Sequence, residues 1–505
     1  GVGASDFALT LSGIAGASVS GVSGGPTAYT VSVLTGSGDG TLRLDIPGTA
    51  SITDMVGNPL ADLPYTGGQS YTIDKSAPTV VSILRDDPSP TNAASVEYVV
   101  TFSEAVSGVG ASDFALTLSG VTGASVSGVS GGPTTYHVAV STGTGSGTLR
   151  LDVPGTASIT DLVGNSLADL PYTGGESYTI DKSAPTVVSI ARADPSPTNA
   201  ASVDYTVTFS EAVTGVGTSD FTLTLAGITG ASVSGVSGGP TIYNVAISTG
   251  TGNGTLRLDI PISASIMDVA GNAISGLPYT GGELYAIDKS APSVVSILRA
   301  DPSPTNAASV DYTVTFSEAV IGVGESDFAL TLSGISGASV AGVSGGPTLY
   351  NVAISTGAVD GTLRLDVPGT ALITGTVGNS LSGLPYTGGE SYTIDKTAPT
   401  VVSILRADPS PTNADSVDYT VTFSEAVTGV GTSDFTLTLS GIISASVTGI
   451  SGGPITYAIT VDTGRRDGTL RLDVPEIASV TDLLGNPLAG LPFTGGEIYT
   501  IDKDE

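Results

Sequence analysis

The chain has no cysteine and no tryptophan, one histidine, two methionines and only five lysines among 505 residues. Without cysteine there are no disulfide staples, no thiolate chemistry and no cysteine-bound metals. Positive charge is scarce: 16 Lys and Arg stand against 47 Asp and Glu, for a net charge of −31. No basic stripe is left to neutralise phosphates, which argues against nucleic acid and against anionic membrane surfaces as partners. No apolar run reaches the roughly 18 residues that a membrane span requires, so no insertion of this segment is expected. The lone histidine, His137 in "TTYHVAV", aligns with Thr30, Asn244, Asn351 and Ala458 elsewhere in the chain. That leaves no recurring base for Ser/His/Asp catalysis, and no enzyme is expected.

What is present is repetition. Asp74, Asp181, Asp288, Asp395 and Asp502 follow one another every 107 residues, as do Phe7, Phe114, Phe221, Phe328 and Phe435. The chain therefore divides into units 1–75, 76–182, 183–289, 290–396 and 397–505. Gly1 aligns with Gly108, so the first unit lacks the opening strands of the others, and an excerpt of a longer array is expected. Basic residues obey the period too. Every lysine (Lys75, Lys182, Lys289, Lys396, Lys503) stands in "IDK", and nine of eleven arginines fall in "LRLD" or just before the "DPSPTN" loop.

Within a unit the signal is period-two alternation. In "SVDYTVTFS", Val203, Tyr205, Val207 and Phe209 share one face, and Asp204, Thr206 and Thr208 the other. "DFALTL", "YHVAV", "TLRLDV" and "YTID" alternate in the same way, separated by "DPSPTN", "SGGPT", "TGSG", "VGN" and "YTGGE", which carry turn-forming Pro, Gly and Asn. Seven short strands so punctuated predict an all-β chain, a tandem array of immunoglobulin-like antiparallel β-sandwich domains with almost no helix.

The stretches "TVTFSEAVTGVGTSDF", "DVAGN" and "IDKSAPTVV" resemble the bacterial immunoglobulin-like repeats of large surface proteins and adhesins, over essentially the whole chain. The resemblance implies exported repeats strung end to end at the cell surface or outside the cell, some of them holding calcium where domains meet. With "DKSAP" as the entire connection and Pro78, Pro185, Pro292 and Pro399 fixing φ, the array is expected to be a semi-rigid, elongated rod on the order of 150–200 Å long.

In the immunoglobulin arrangement the loop after the second strand faces the preceding unit. Four carboxylate sets are then expected at junctions: Asp74, Glu104, Asp113; Asp181, Glu211, Asp220; Asp288, Glu318, Asp327; and Asp395, Glu425, Asp434. Hard oxygen ligands without His or Cys suit Ca2+. The "DPSPTN" acids Asp87, Asp194, Asp301 and Asp408 are expected at the opposite pole. Asp54, Asp161, Asp268 and Asp482 of "ITDLVGN" read as turn caps, because the fourth unit has Gly375 there.

The leading functional expectation is a stalk or fibre that serves length, its partners being neighbouring repeats of the same or identical chains. An extracellular filament or sheath built by lateral or helical packing of such rods is the alternative. A multivalent module for surface glycans is a further one, and would use the turn aromatics Tyr65, Tyr172, Tyr279, Tyr386 and Phe493.

Overall fold

The computed structural model describes residues 1–503. In the second unit seven strands run in order: Val80–Arg85, Ser95–Phe102, Ala115–Ser119, Ser125–Gly131, Thr135–Ser141, Gly147–Asp152 and Ser177–Ile180. The first, second, fifth and fourth form one antiparallel sheet, and the third, sixth and seventh form the other. That is the strand order of the constant-type immunoglobulin sandwich. A two-residue ladder, Val106–Ser107 with Thr160–Asp161, closes one end, and the only helical element is a 3-10 turn at Ala111–Asp113. The next three units repeat this plan, and the first unit has no counterpart of the opening two strands.

Alternation fixes which side chains meet between the sheets. Val96, Tyr98, Val100 and Phe102 are buried from one sheet, and Leu149, Leu151, Tyr178 and Ile180 from the other. Tyr98 and Tyr178 meet edge to face at 5.1 Å. Their hydroxyls stay satisfied: Tyr98 Oη donates to the Leu149 carbonyl at 2.8 Å and Tyr178 Oη to that of Glu97 at 2.7 Å. Burial raises the Tyr98 hydroxyl pKa far above its ordinary range. In the first unit no second strand covers the equivalent core, and Tyr71 is 72% exposed beside a groove of about 390 Å3.

The repeated arginines and glutamates hold the sandwich together at its margins. Arg150 pairs through Nε with Asp152 Oδ1 at 2.8 Å, and Thr117 donates to Asp152 Oδ2 at 2.6 Å across the sheet. The Glu176 carboxylate accepts from the backbone N–H of Arg85 at 2.9 Å, while its own N–H bonds the Ile83 carbonyl at 3.0 Å. Two groups on the free edge of the first strand are thereby occupied, which blunts an edge otherwise open to strand addition.

The exposed surface is 24,027 Å2. A compact 49.7 kDa protein would expose only about 17,000 Å2, whereas five separate bodies of these sizes would expose about 26,000 Å2. The units therefore touch over small areas and the molecule is extended.

Asp220 illustrates a buried acid serving the fold. Its Oδ2 accepts from Gly217 N at 2.8 Å and its Oδ1 from Ser265 N at 2.8 Å, tying the 3-10 turn to a loop 45 residues on. Asp220→Ala orphans both N–H groups and is expected to lower the stability of the third unit by about 1–3 kcal/mol. Hydrogen exchange read by mass spectrometry should place the loss in residues 183–289 and leave the other units unchanged.

Candidate functional site at the unit junctions

Each junction is built from the exit of one unit and the entry of the next. At the exit, the "DPSPTN" loop is pinned to the end of the seventh strand: Thr91 N donates to Thr179 O, and Asp181 N to Thr91 O, both at 3.0 Å. The lysine then closes this pole. Lys182 Nζ donates to the carbonyls of Asn92 and Ala93, the latter at 2.7 Å. Lys289 holds Asn199 and Ala200, Lys396 holds Asn306 and Ala307, and Lys503 holds Asn413 and Ala414. Where the first unit lacks this loop, Lys75 Nζ turns to the Gly36 carbonyl at 2.5 Å. An ammonium has three donors and no acceptor, so a site with two or more inward carbonyls selects it.

The loop held in this way reaches the next unit. Asn92 N donates to Ala270 O at 3.1 Å and Asn92 Nδ2 to Asn272 Oδ1 at 3.2 Å. Asn272 Nδ2 in turn donates back to the Asp181 carbonyl at 2.9 Å. The same side-chain bridge joins Asn199 to Asn379 at 3.1 Å and Asn306 to Asn486 at 3.3 Å. Gly271, at φ +94°, sits against Asn92 in a backbone conformation that a side chain would strain. The linker itself is not slack. Asp181 Oδ1 accepts from Ser183 N at 3.0 Å, Ser146 Oγ accepts from Lys182 N at 2.9 Å, and the Pro185 carbonyl accepts from Ser275 N at 2.9 Å.

The acids divide differently from the sequence-based expectation. Asp74 and Glu104 do converge, as do Asp181 with Glu211 and Asp395 with Glu425. The third carboxylate is not Asp113, Asp220 or Asp434 but Asp161, Asp268 or Asp482, and in each group one oxygen per residue lies within 4.8 Å of the others. Asp113, Asp220, Asp327 and Asp434 point into their own units, each capping a 3-10 turn and accepting from a distant backbone N–H. The turn-cap reading of Asp161 holds as well: its Oδ1 accepts from the backbone N–H of Val163, Gly164 and Asn165, and its Oδ2 from Asn165 Nδ2. At the junction of Asp288 and Glu318, Gly375 takes the place of the third carboxylate. Asp87 stays within its unit, its carboxylate accepting from Glu97 N at 2.7 Å.

Burial, and then the neighbouring carboxylates, raise the pKa of Glu104, Glu211 and Glu425 above the ordinary glutamate value. The donor set fits a hard cation such as Ca2+, being oxygen only, although Asp161 already spends most of its lone pairs on N–H groups. The turn aromatics lie against their own backbone: a Cβ added at Gly174 would meet the Tyr172 ring at 3.0 Å, so the ring covers that glycine and offers less of itself to a sugar.

No family model matches the chain, and no curated protein matches it. Among solved structures, FdeC, an Escherichia coli adhesin, is 16% identical, with 61% of this chain and 96% of that one covered at a TM-score of 0.33. Invasin, a bacterial integrin-binding protein, is 11% identical over 80% of this chain and 78% of its own, at 0.31. The S-layer protein rSbsC(31-844) is 16% identical over 82% and 55%, at 0.22.

A glutamate whose pKa is higher folded than unfolded binds its proton more readily in the folded state, so its contribution to stability falls as pH rises through its titration range. Relative to the parent, Glu104→Gln, Glu211→Gln and Glu425→Gln combined should therefore gain more stability at pH 7 than at pH 4 in the presence of chelator. Thermal unfolding at the two pH values checks this, and an equal difference at both would contradict it.

Proposed function

We propose that the chain is a non-catalytic extender, a length of stalk or fibre belonging to an exported bacterial surface protein, whose work is to hold its units in line. The observation that carries this reading is the asparagine bridge repeated at all three junctions between complete units, on linkers several of whose own N–H and C=O groups are bonded. Each such bond contributes only about 0.5–1.5 kcal/mol, but two or three crossing one short joint restrict bending that a free linker would allow. Near-identical units support a task of spacing over one of distinct recognition along the rod. Among the described residues no helix is long and apolar enough to cross a membrane.

A second reading concerns calcium. The three carboxylate groups at Asp74, Glu104 and Asp161, at Asp181, Glu211 and Asp268, and at Asp395, Glu425 and Asp482 favour a cation that would relieve their mutual repulsion and stiffen the joint.

Solution scattering and electron microscopy of the purified chain should give single thin rods roughly 150–200 Å long. Asn92→Ala, Asn199→Ala and Asn306→Ala together should broaden the distribution of interunit angles without unfolding any unit. A compact particle would overturn the extender reading, and regular bundles or helical arrays would favour the filament.

For calcium, hydrogen exchange around Glu104, Glu211 and Glu425 should slow when the ion replaces chelator. The region of Glu318 and Gly375 should not respond. A uniform response, or none, would remove the calcium reading and leave the extender standing.

A further inference from the structure

The second unit differs from its copies at one patch on the outward face of the four-stranded sheet. His137 lies on the fifth strand opposite Val99, and Glu97 lies on the second strand opposite Ala139, so the two are diagonal neighbours on one face. Asp86 follows directly after the first strand. His137 Nδ1 stands 3.7 Å from Glu97 Oε1 and 4.0 Å from Asp86 Oδ2. One ligand atom from each residue lies within 4.8 Å of the other two.

None of these three side chains serves the sandwich. The backbone of Asp86 donates to the Glu97 carbonyl at 3.0 Å, as Ala193 does to Asp204 in the third unit with no carboxylate present. Among the described residues no hydrogen bond to the rest of the fold engages the side chains of Asp86, Glu97 or His137. All three depart from the repeat. Ala193, Ala300 and Ala407 stand where Asp86 does, Asp204, Asp311 and Asp418 where Glu97 does, and Asn244, Asn351 and Ala458 where His137 does. Two unit-specific groups, Asp86 and His137, thus meet the carboxylate that every complete unit carries at the position of Glu97, here one methylene longer, and together the three supply one imidazole and two carboxylates.

We propose that His137, Glu97 and Asp86 bind a divalent transition-metal ion of the Zn2+ type, at one site in the second unit alone. An imidazole nitrogen selects zinc and its neighbours over calcium, which prefers oxygen throughout. Donors on a tetrahedral zinc at its usual bond lengths are ~3.3 Å apart, so the two histidine–carboxylate separations need to contract by only about half an ångström and the carboxylate–carboxylate one by at most about 1.5 Å. The side chains can make that movement, being 42%, 41% and 50% exposed for His137, Glu97 and Asp86. Water completes the coordination. This site is chemically distinct from the all-oxygen junction groups and independent of what occupies those.

Because His137 is the only histidine, the ring signals of the chain labelled at histidine report this site alone. Titration of the whole chain with Zn2+ should shift those signals and saturate at one equivalent, with a dissociation constant on the order of 10 μM. His137→Asn and Asp86→Ala install residues that other units already carry, so folding is preserved. Asp86→Ala and Glu97→Gln should each weaken the shift at least about tenfold. His137→Asn should abolish the one-site heat of binding measured by calorimetry, and a tenfold excess of Ca2+ should not displace the zinc. Ring signals that stay in place up to about 1 mM Zn2+, or a shift that Asp86→Ala and Glu97→Gln leave unaltered, would overturn the assignment.

Discussion

A single ammonium group at the end of each complete unit fastens the loop on which the junction depends. The carbonyls of Asn92 and Ala93 converge on Lys182 Nζ, and the backbone that bears them also carries the side chain that crosses to Asn272. Remove the cation, and two acceptors at the exit pole lose their partner while the asparagine loses its platform. Lysine is otherwise excluded from the chain, so the positive charge it brings is spent at the joints.

The rest of the charge is predominantly negative, 47 Asp and Glu against eleven Arg, and recurs with the repeat. A net charge of −31 spread over an extended array makes the units repel one another, which opposes collapse of the rod onto itself. The same sign is a cost where Glu104 approaches Asp74 and Asp161, and there burial and the neighbouring carboxylates raise the glutamate pKa. The neighbouring hydrogen-bond network does not need the third carboxylate. Asn379 still bonds the Asp288 carbonyl at 2.9 Å although Gly375 has replaced the aspartate beside it. Interunit hydrogen bonding and carboxylate clustering are therefore separable features of one joint.

Departures from repetition carry as much information as the repeat. Gly375 removes one carboxylate group, and Asp86 with His137 creates a different one. Neither change disturbs strand register: Asp86 lies on a loop and His137 at an outward strand position, and Gly375 keeps the ladder pairing with Val320 that Asp161 makes with Val106. A β-sandwich tolerates such variation because only alternate residues enter its core.

The sequence by itself determined the period, the all-β character and the inward faces of the strands whose alternation it shows, though not the fourth strand, Ser125–Gly131, which carries no such signal. These are local properties: alternation at Val203, Tyr205, Val207 and Phe209 needs no knowledge of distant residues, and Gly and Pro mark each turn. The poles were legible as well, since Asp74 and Glu104 do meet. Which acid joins them was decided only by tertiary structure. Asp113 is drawn away by a backbone N–H at Ser158, 45 residues on, while Asp161 enters from a loop whose sequence signalled a turn cap alone. The bridge from Asn92 to Asn272 spans 180 residues and the lysine's hold on Asn92 spans 90. Such partners are chosen by the direction in which folded backbone presents its donors and acceptors, and that direction does not exist until the sheets have packed.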